Sequence, residues 1–408
     1  MTFAPETLLC RGMRDLLPDD LARFRRLEAA FRGVCAAWGY REVRTPTVEH
    51  LYLFTSSGTL SPELLGRVYS FLDWDGWTGE RVVLRPDATI PVARLYRERL
   101  DGRTAKLCYV ENVFRFSRDE QPREVWQCGA ELIGETWPAG DVEVLLLALD
   151  TLARVGLEDV ELTLSHGGII RSLLERAGYA PGERADLYDR MLDGDVAVLR
   201  DLEARLPELG PGLHLLSEVK SAGVAFVDNL RAAFAAAVPA MRGPLDELAL
   251  IGRTLERLGV RPRIDIAAVR DFEYYTGAVF HLAIGGRAVG SGGRYDSLVG
   301  DRDGSAVPAC GFALQADRLA ALLPAEAEAP PVPVRVAAAE AGPEALAAAA
   351  GAARALQQQG LPAALTSAEP RATTIEAGAN GALAIAGSGG ARAPLASLEA
   401  AVQYLAGR

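Results

Sequence analysis

The stretch Arg270–Gly277, RDFEYYTG, followed by GSGGRYDSLVG at Gly290–Gly300, decides how this chain reads. Two arginines, Arg270 and Arg294, and the adjacent Tyr274 and Tyr275 stand in sequence of strand-like character. Charged and hydroxyl groups inside a sheet are costly unless they meet a ligand or one another. The two peptides therefore predict the lining of a polar pocket. In EYYTGAVF, period-2 alternation sends Tyr275, Gly277 and Val279 to one face, where Gly277 is expected to leave room beside the aromatic ring.

A second run, EVWQCGAELIG, supplies complementary groups. Its alternation puts Gln127, Gly129 and Glu131 on one face and Trp126, Cys128 and Ala130 on the other, with Gly129 predicting an open slot between amide and carboxylate. If the preceding VENVFRF pairs back across the turn SRDEQPR, Arg115 joins the same face. A carboxylate and an amide carbonyl can receive an α-ammonium, a guanidinium suits a carboxylate, and tyrosine offers both a ring and a hydroxyl. Together they describe a cavity for a small zwitterion with a flat polar side chain. Plain internal salt bridges within a sheet account for the same residue types.

Composition narrows the class. The 408 residues are 49% hydrophobic, enough for two or three domains with a large core. The formal net charge is -11, and Lys106 and Lys220 are the only lysines, which argues against a surface built for an RNA backbone. Cys10, Cys35, Cys108, Cys128 and Cys310 lack CxxC spacing, so no zinc site or other metal site follows. No basic-then-apolar leader and no bilayer-length apolar run is present, so a reducing cytoplasm is the expected setting.

The organisation reads as α+β. Leu21, Phe24, Leu27, Phe31 and Val34 have helical spacing over 19–38, and REVRTPTVEH then reads as a strand whose Pro46 suits an edge or an interface. RVVLRP, KLCYVENVFRF and EVWQCGAELIG predict a largely antiparallel sheet, and helical patterns over about 167–258 predict an inserted helical unit. Gly285-Gly286 is the signal of a two-residue hairpin. The expected division is a domain over 1–322, a Pro- and Ala-rich linker over 323–333, and a small α/β domain over 334–408 with helices near 343–358 and 394–406.

In the order of its motifs, the chain resembles the class II aminoacyl-tRNA synthetases of the histidine type over roughly residues 8–322. GYREVRTPTVE resembles the first class II motif, with Pro46 as its dimer-interface proline. LRPDATIP resembles an LRPE-type peptide, with Asp87 where that family has an acid. VFRF to WQCGAELIG resembles motif 2, with Arg115 as its arginine and Gln127 and Glu131 as histidine-pocket residues. Arg270, Tyr274 and Tyr275 match the first histidine-specific peptide, Arg294 and Tyr295 the second, and GFALQADRL with Arg318 matches motif 3. The resemblance implies a class II antiparallel sheet flanked by helices and a histidine site of Asp87, Arg115, Gln127, Glu131, Arg270, Tyr274 and Tyr275.

The departures from that pattern carry as much information. The segment FRFSRDEQPREVWQ is about two residues shorter than in the synthetases and lacks one arginine of their RxR; Arg118 and Arg123 could still touch a phosphate, or be solvated turn charges. Gln315 stands where the synthetases have a small Gly near the adenine, and Asp271 replaces the Gly after the arginine. From Val334 to Arg408, five Arg balance five Glu and Tyr404 is the one aromatic, which is little for an anticodon-binding domain.

A retained amino-acid pocket beside altered nucleotide and tRNA machinery resembles the synthetase-like regulatory subunits of ATP phosphoribosyltransferase. That resemblance implies a chain without catalysis or cofactor of its own, needed by a short-form catalytic subunit in the first step of histidine biosynthesis. It further implies L-histidine as feedback effector, self-association through the motif 1 region, and no nucleic-acid or membrane partner. A diverged histidine–tRNA ligase, with Arg115, Arg270 and Arg318 stabilising charge on the α-phosphate, is the enzyme alternative. A scaffold with an empty pocket is the third.

Overall fold

The computed structural model describes residues 8–56, 66–74, 79–100, 102–116, 122–135, 138–180, 183–184, 187, 190, 195–218, 223–234, 236–266, 275–300, 305–325, 332–366, 373–386 and 392–406. Two compact units divide the chain at Ala325 and Glu326.

In chain order the first unit contains α1 (Pro18–Ala37), β1 (Arg41–Glu42), β2 (Val48–His50), α2 (Leu51–Ser56), β3 (Ser70–Trp74), β4 (Gly79–Leu84), α3 (Thr89–Arg99), β5 (Ala105–Phe114), β6 (Glu124–Ile133), α4 (Ala139–Arg154) and β7 (Glu161–His166). The helices α5 (Gly167–Arg176), α6 (Val196–Arg205), α7 (Gly210–Glu218), α8 (Phe226–Phe234) and α9 (Arg242–Arg257) follow. The unit closes with β8 (Arg263–Ile264), β9 (Ala278–Ile284), β10 (Arg287–Arg294), β11 (Ala309–Gln315) and α10 (Ala316–Leu322).

Eight strands form the central sheet in the order β1-β5-β6-β11-β10-β9-β7-β8. Its neighbours are antiparallel except for the parallel end pairs β1–β5 and β7–β8. The fold is thus mixed α+β around a mainly antiparallel sheet. Alternation sorts the two faces. Phe24, Leu27 and Phe31 of α1 and Val144 and Leu147 of α4 share one core with Cys128, Ala130 and Leu132. Val92 and Tyr96 of α3 share another with Tyr109, Val113, Tyr275 and Tyr295 on the opposite face.

Burying a Leu or Phe side chain contributes roughly 1.5–3 kcal/mol, so each face is fixed by its own apolar set, and a one-residue slip would exchange them. Gly285 (φ 55) and Gly286 (φ 72) turn β9 into β10 with positive φ at both positions, as the tight hairpin requires.

The run REVRTPTVEH, expected as one strand, is split. Arg41–Glu42 pairs with β5 in the large sheet, whereas Val48–His50 pairs with β4 in a separate three-stranded sheet, β2-β4-β3. Between them, the Thr45 amide and hydroxyl are taken by the Glu111 carboxylate instead of a neighbouring strand.

The second unit is an α/β layer with β12 (Val334–Ala338), α11 (Pro343–Gln358), β13 (Ala363–Ala364), β14 (Thr374–Ala377), β15 (Leu383–Ala386), β16 (Arg392–Leu395) and α12 (Leu398–Ala406). Its sheet order is β13-β12-β14-β15-β16. The last helix begins at Leu398, later than the expected 394, because 392–395 form an edge strand where Pro394 is tolerated.

Candidate functional site

On the α3-packed face of the large sheet lies a cavity of about 30 Å³ lined by Asp87, Thr89, Arg115, Gln127, Tyr275 and Tyr295, with Ser291, Gly311, Phe312, Ala313 and Gln315. β5 and β6 pair antiparallel from Ala105↔Ile133 to Phe114↔Glu124. This register brings Arg115 to the end of the hairpin, where it lines the same cavity as Gln127. The Arg115 Nε donates to the Pro86 carbonyl at 2.9 Å, and the guanidinium acts electrostatically on the neighbouring Asp87.

Asp87 is 3% exposed and accepts the Ile90 amide at 3.1 Å, holding the start of α3. Burial pushes its pKa up, opposed by Arg115 and by backbone amides at the helix start. Gln127 is 6% exposed, and its Oε1 is buried without a hydrogen-bond partner among the described residues. An orphaned buried amide oxygen costs about 1–3 kcal/mol unless something else satisfies it. It is the most pointed feature of the cavity.

Glu131 lies on the same strand face but beneath the cavity wall, fully buried. Its Oε1 accepts from the Tyr109 hydroxyl at 3.1 Å and its Oε2 from the Tyr295 hydroxyl. A Cβ on Gly311 would overlap its carboxylate, so only glycine fits opposite it. Burial raises the Glu131 pKa to about 8, opposed by the hydrogen bonds from Tyr295, Thr89 and Tyr109 and reinforced by Asp87. The group is therefore mostly a neutral carboxylic acid at neutral pH.

Two expected openings are filled. The space over Gly129 holds the Tyr109 phenol, which a Cβ would overlap; the antiparallel register sets Tyr109 opposite Gly129. The space over Gly277 holds the methylenes of Arg294, 2.8 Å from where a Cβ would stand. Gly293 instead leaves room for the Tyr275 ring. The pairing register is the signal that would have revealed Tyr109, and Thr89 reaches the cavity only through tertiary packing, while Ser291 and Tyr295 come from the second of the two peptides expected to line a pocket.

Of the residues expected in the site, Asp87, Arg115, Gln127 and Tyr275 line one cavity, and Glu131 is anchored next to it. Arg270, Asp271, Tyr274 and Arg118 lie outside the described residues. Arg294 is spent on an internal pair: Nη2 and Nε meet Asp141 at 2.5 and 3.2 Å, and Nη1 meets Asp296 at 3.1 Å. Arg318 donates to the Ala288 carbonyl at 2.8 Å and is not among the lining residues. Arg123 stacks 4.5 Å from the Phe116 ring centroid and pairs its amide with the Gly12 carbonyl, a structural role rather than a free turn charge. Gln315 does line the cavity.

A larger cleft of about 590 Å³ opens between α5, α9 and the sheet, where His166 caps α5 and meets Glu247 at 2.8 Å. No group of His, Cys, Asp and Glu among the described residues is arranged to hold a metal ion, and no helix among them is long and apolar enough to cross a membrane.

Known proteins match this arrangement. A family profile described as Histidyl-tRNA synthetase covers residues 12–319. An ATP phosphoribosyltransferase regulatory subunit of Dehalococcoides mccartyi is 50% identical over 319 residues, 78% of this chain and 77% of that protein. A histidine–tRNA ligase of Methanosarcina acetivorans is 35% identical over 326 residues, 77% of this chain and 75% of that one. A Bacillus halodurans structure described as an ATP phosphoribosyltransferase regulatory subunit/histidyl-tRNA synthetase shares the fold, with a TM-score of 0.74 at 24% identity over 90% of this chain and 94% of that chain. With the motifs in order and the pocket residues gathered on one sheet face, the chain belongs to the histidyl-tRNA synthetase family, among whose members it is similar to the ATP phosphoribosyltransferase regulatory subunits.

Proposed function

We propose that this chain is a regulatory subunit, without catalysis of its own, that acts with a short-form ATP phosphoribosyltransferase catalytic subunit in the first step of histidine biosynthesis. L-Histidine is its feedback effector. The observation that carries the pocket reading is the Gln127 Oε1, buried and without a partner among the described residues, in a cavity that also presents Asp87 and Arg115.

An α-ammonium would satisfy Gln127 and Asp87, Arg115 suits the carboxylate, and the Tyr275 ring can lie against an imidazole. Glu131 stays a candidate for the ligand's polar edge through the Tyr109 and Tyr295 hydroxyls that it organises. Arg270 and Tyr274 complete the set by resemblance. Gln315 stands at the cavity wall, where a bound amino acid would meet its side chain.

Similarity to the 50%-identical regulatory subunits supports the partner. All five cysteines are free thiols, which suits a reducing cytoplasm. Self-association through the motif 1 region fits the exposed Val48 and Tyr52 beside Pro46.

The second reading, a diverged histidine–tRNA ligase, draws on the 35%-identical enzyme. Gln315 at the cavity wall, where the synthetases have glycine near the adenine, weighs against it. The test mixes the chain with a short-form catalytic subunit and assays phosphoribosyl transfer with and without L-histidine, alongside histidine-dependent ATP–pyrophosphate exchange by the chain alone. Stimulated, histidine-inhibited transfer is expected; robust exchange would overturn the proposal.

A further inference from the structure

The buried guanidinium of Arg85 does not line the cavity, yet it ties together the two segments that hold the cavity's charged groups. Arg85 is 3% exposed, and Glu111 is 2% exposed. The Arg85 Nη1 donates to Glu111 Oε2 at 2.5 Å, to the Thr45 carbonyl at 2.9 Å and to the Thr45 hydroxyl at 3.0 Å. Its Nε donates to the Asn112 carbonyl at 2.7 Å and its Nη2 to Asn112 Oδ1 at 3.1 Å. Glu111 in turn accepts the Thr45 amide at 2.5 Å and the Thr45 hydroxyl at 2.8 Å. The Arg85 backbone is pinned as well, its amide on the Thr47 carbonyl and its own carbonyl under the Phe114 amide, both at 2.9 Å.

The next two residues are Pro86, whose carbonyl fixes the Arg115 Nε, and Asp87, which faces the cavity. Phe114, held by the Arg85 carbonyl, is the residue immediately before Arg115. Both the backbone and the side chain of Arg115 are thus referred to one fixed point.

We propose that Arg85, with Glu111, is a positioning residue for the amino-acid pocket, setting where Arg115 stands and hence how strongly the ligand's carboxylate is read. The inference rests on the amino-acid reading of that pocket. A buried ion pair is a poor source of stability compared with apolar packing of the same volume. Its geometric output is better defined, since a binding group must be held to within about 0.5 Å by the residues behind it. Only arginine presents a rigid planar fork to acceptors on three residues in different directions; lysine keeps the charge and loses the geometry.

The experiment is calorimetric titration of the full chain, as wild type, Arg85→Lys and Glu111→Gln, with L-histidine and with L-histidinol, in which a hydroxymethyl replaces the carboxylate. Wild type is expected to prefer L-histidine. Arg85→Lys is expected to weaken L-histidine by about tenfold or more, the scale on which supporting partners act, and to leave L-histidinol unchanged within error. A purely stabilising role would lower the stoichiometry and the melting temperature while preserving the ratio of the two Kd values. An unchanged ratio in a wild type that binds L-histidine overturns the positioning role alone. A wild type that binds neither compound overturns the pocket reading and this inference with it. If Arg85→Lys fails to fold, Glu111→Gln, which keeps the shape and the arginine, decides on the same ratio.

Discussion

Glu131→Gln should change how the stability of this protein depends on pH. In the unfolded chain a glutamate has its ordinary pKa, 4.5, whereas in the fold burial raises Glu131 to about 8. Below pH 4.5 both states hold the proton and no penalty exists. Between pH 4.5 and about 8 the unfolded state releases it while the native state keeps it, so the native state binds more protons and stability falls as pH rises. At 1.36 kcal/mol per pH unit, the window from pH 5 to pH 7 costs ~3 kcal/mol from this group alone. Asp87, Glu111 and Asp141 are also raised by burial and add slopes of the same sign, so only the difference between wild type and variant isolates Glu131. Glutamine keeps an acceptor for one tyrosine and an amide for the other, and carries no titrating proton. Urea denaturation of both proteins at pH 5, 6, 7 and 8 should show the two curves nearly together at pH 5 and Glu131→Gln gaining steadily towards pH 8. Parallel profiles across the whole range would refute a neutral Glu131 held between Tyr109 and Tyr295.

Three other perturbations follow from the same geometry. Gly129→Ala forces a methyl into the Tyr109 ring and should destabilise by about 1–3 kcal/mol, read as a lower urea midpoint; an unchanged midpoint would mean that the ring has free space to move. Gln127→Leu removes a buried oxygen that has no partner among the described residues, so the unfolding free energy from urea denaturation should hold or rise by about 1 kcal/mol while L-histidine titration loses its signal, the opposite of what a structural glutamine would do. Asp141→Asn strips the charge partner from Arg294 at 5% exposure and should cost on the order of 3 kcal/mol, with retained stability showing that Asp296 alone suffices.

Much of the fold was legible because it rests on periodicity. The spacing of Phe24, Leu27 and Phe31, the alternation through Gln127 to Glu131 and the Gly285-Gly286 turn each name an element without reference to anything distant. The site was legible in part: Asp87, Arg115, Gln127 and Tyr275 do meet at one cavity, though the elements bearing them are spread along nearly two hundred residues. The filling of Gly129 by Tyr109 and of Gly277 by Arg294 was not, since a missing Cβ says that something approaches closely and leaves open whether a ligand or a neighbouring side chain does.

By itself the sequence determined the α+β class, the shared face of Gln127, Gly129 and Glu131 and the family to which its ordered motifs belong, because these follow from local period and residue type. The tertiary structure alone decided which charges are spent internally. Arg85 and Arg294 are equally cationic on paper, as are Arg115 and Arg318. Yet Arg85 and Arg294 are buried on Glu111 and Asp141, Arg318 caps a strand carbonyl, and Arg115 lines the cavity. The physical reason is that a buried charge takes its meaning from its partner, and partners are set by sheet register and strand order across distances that no local pattern spans.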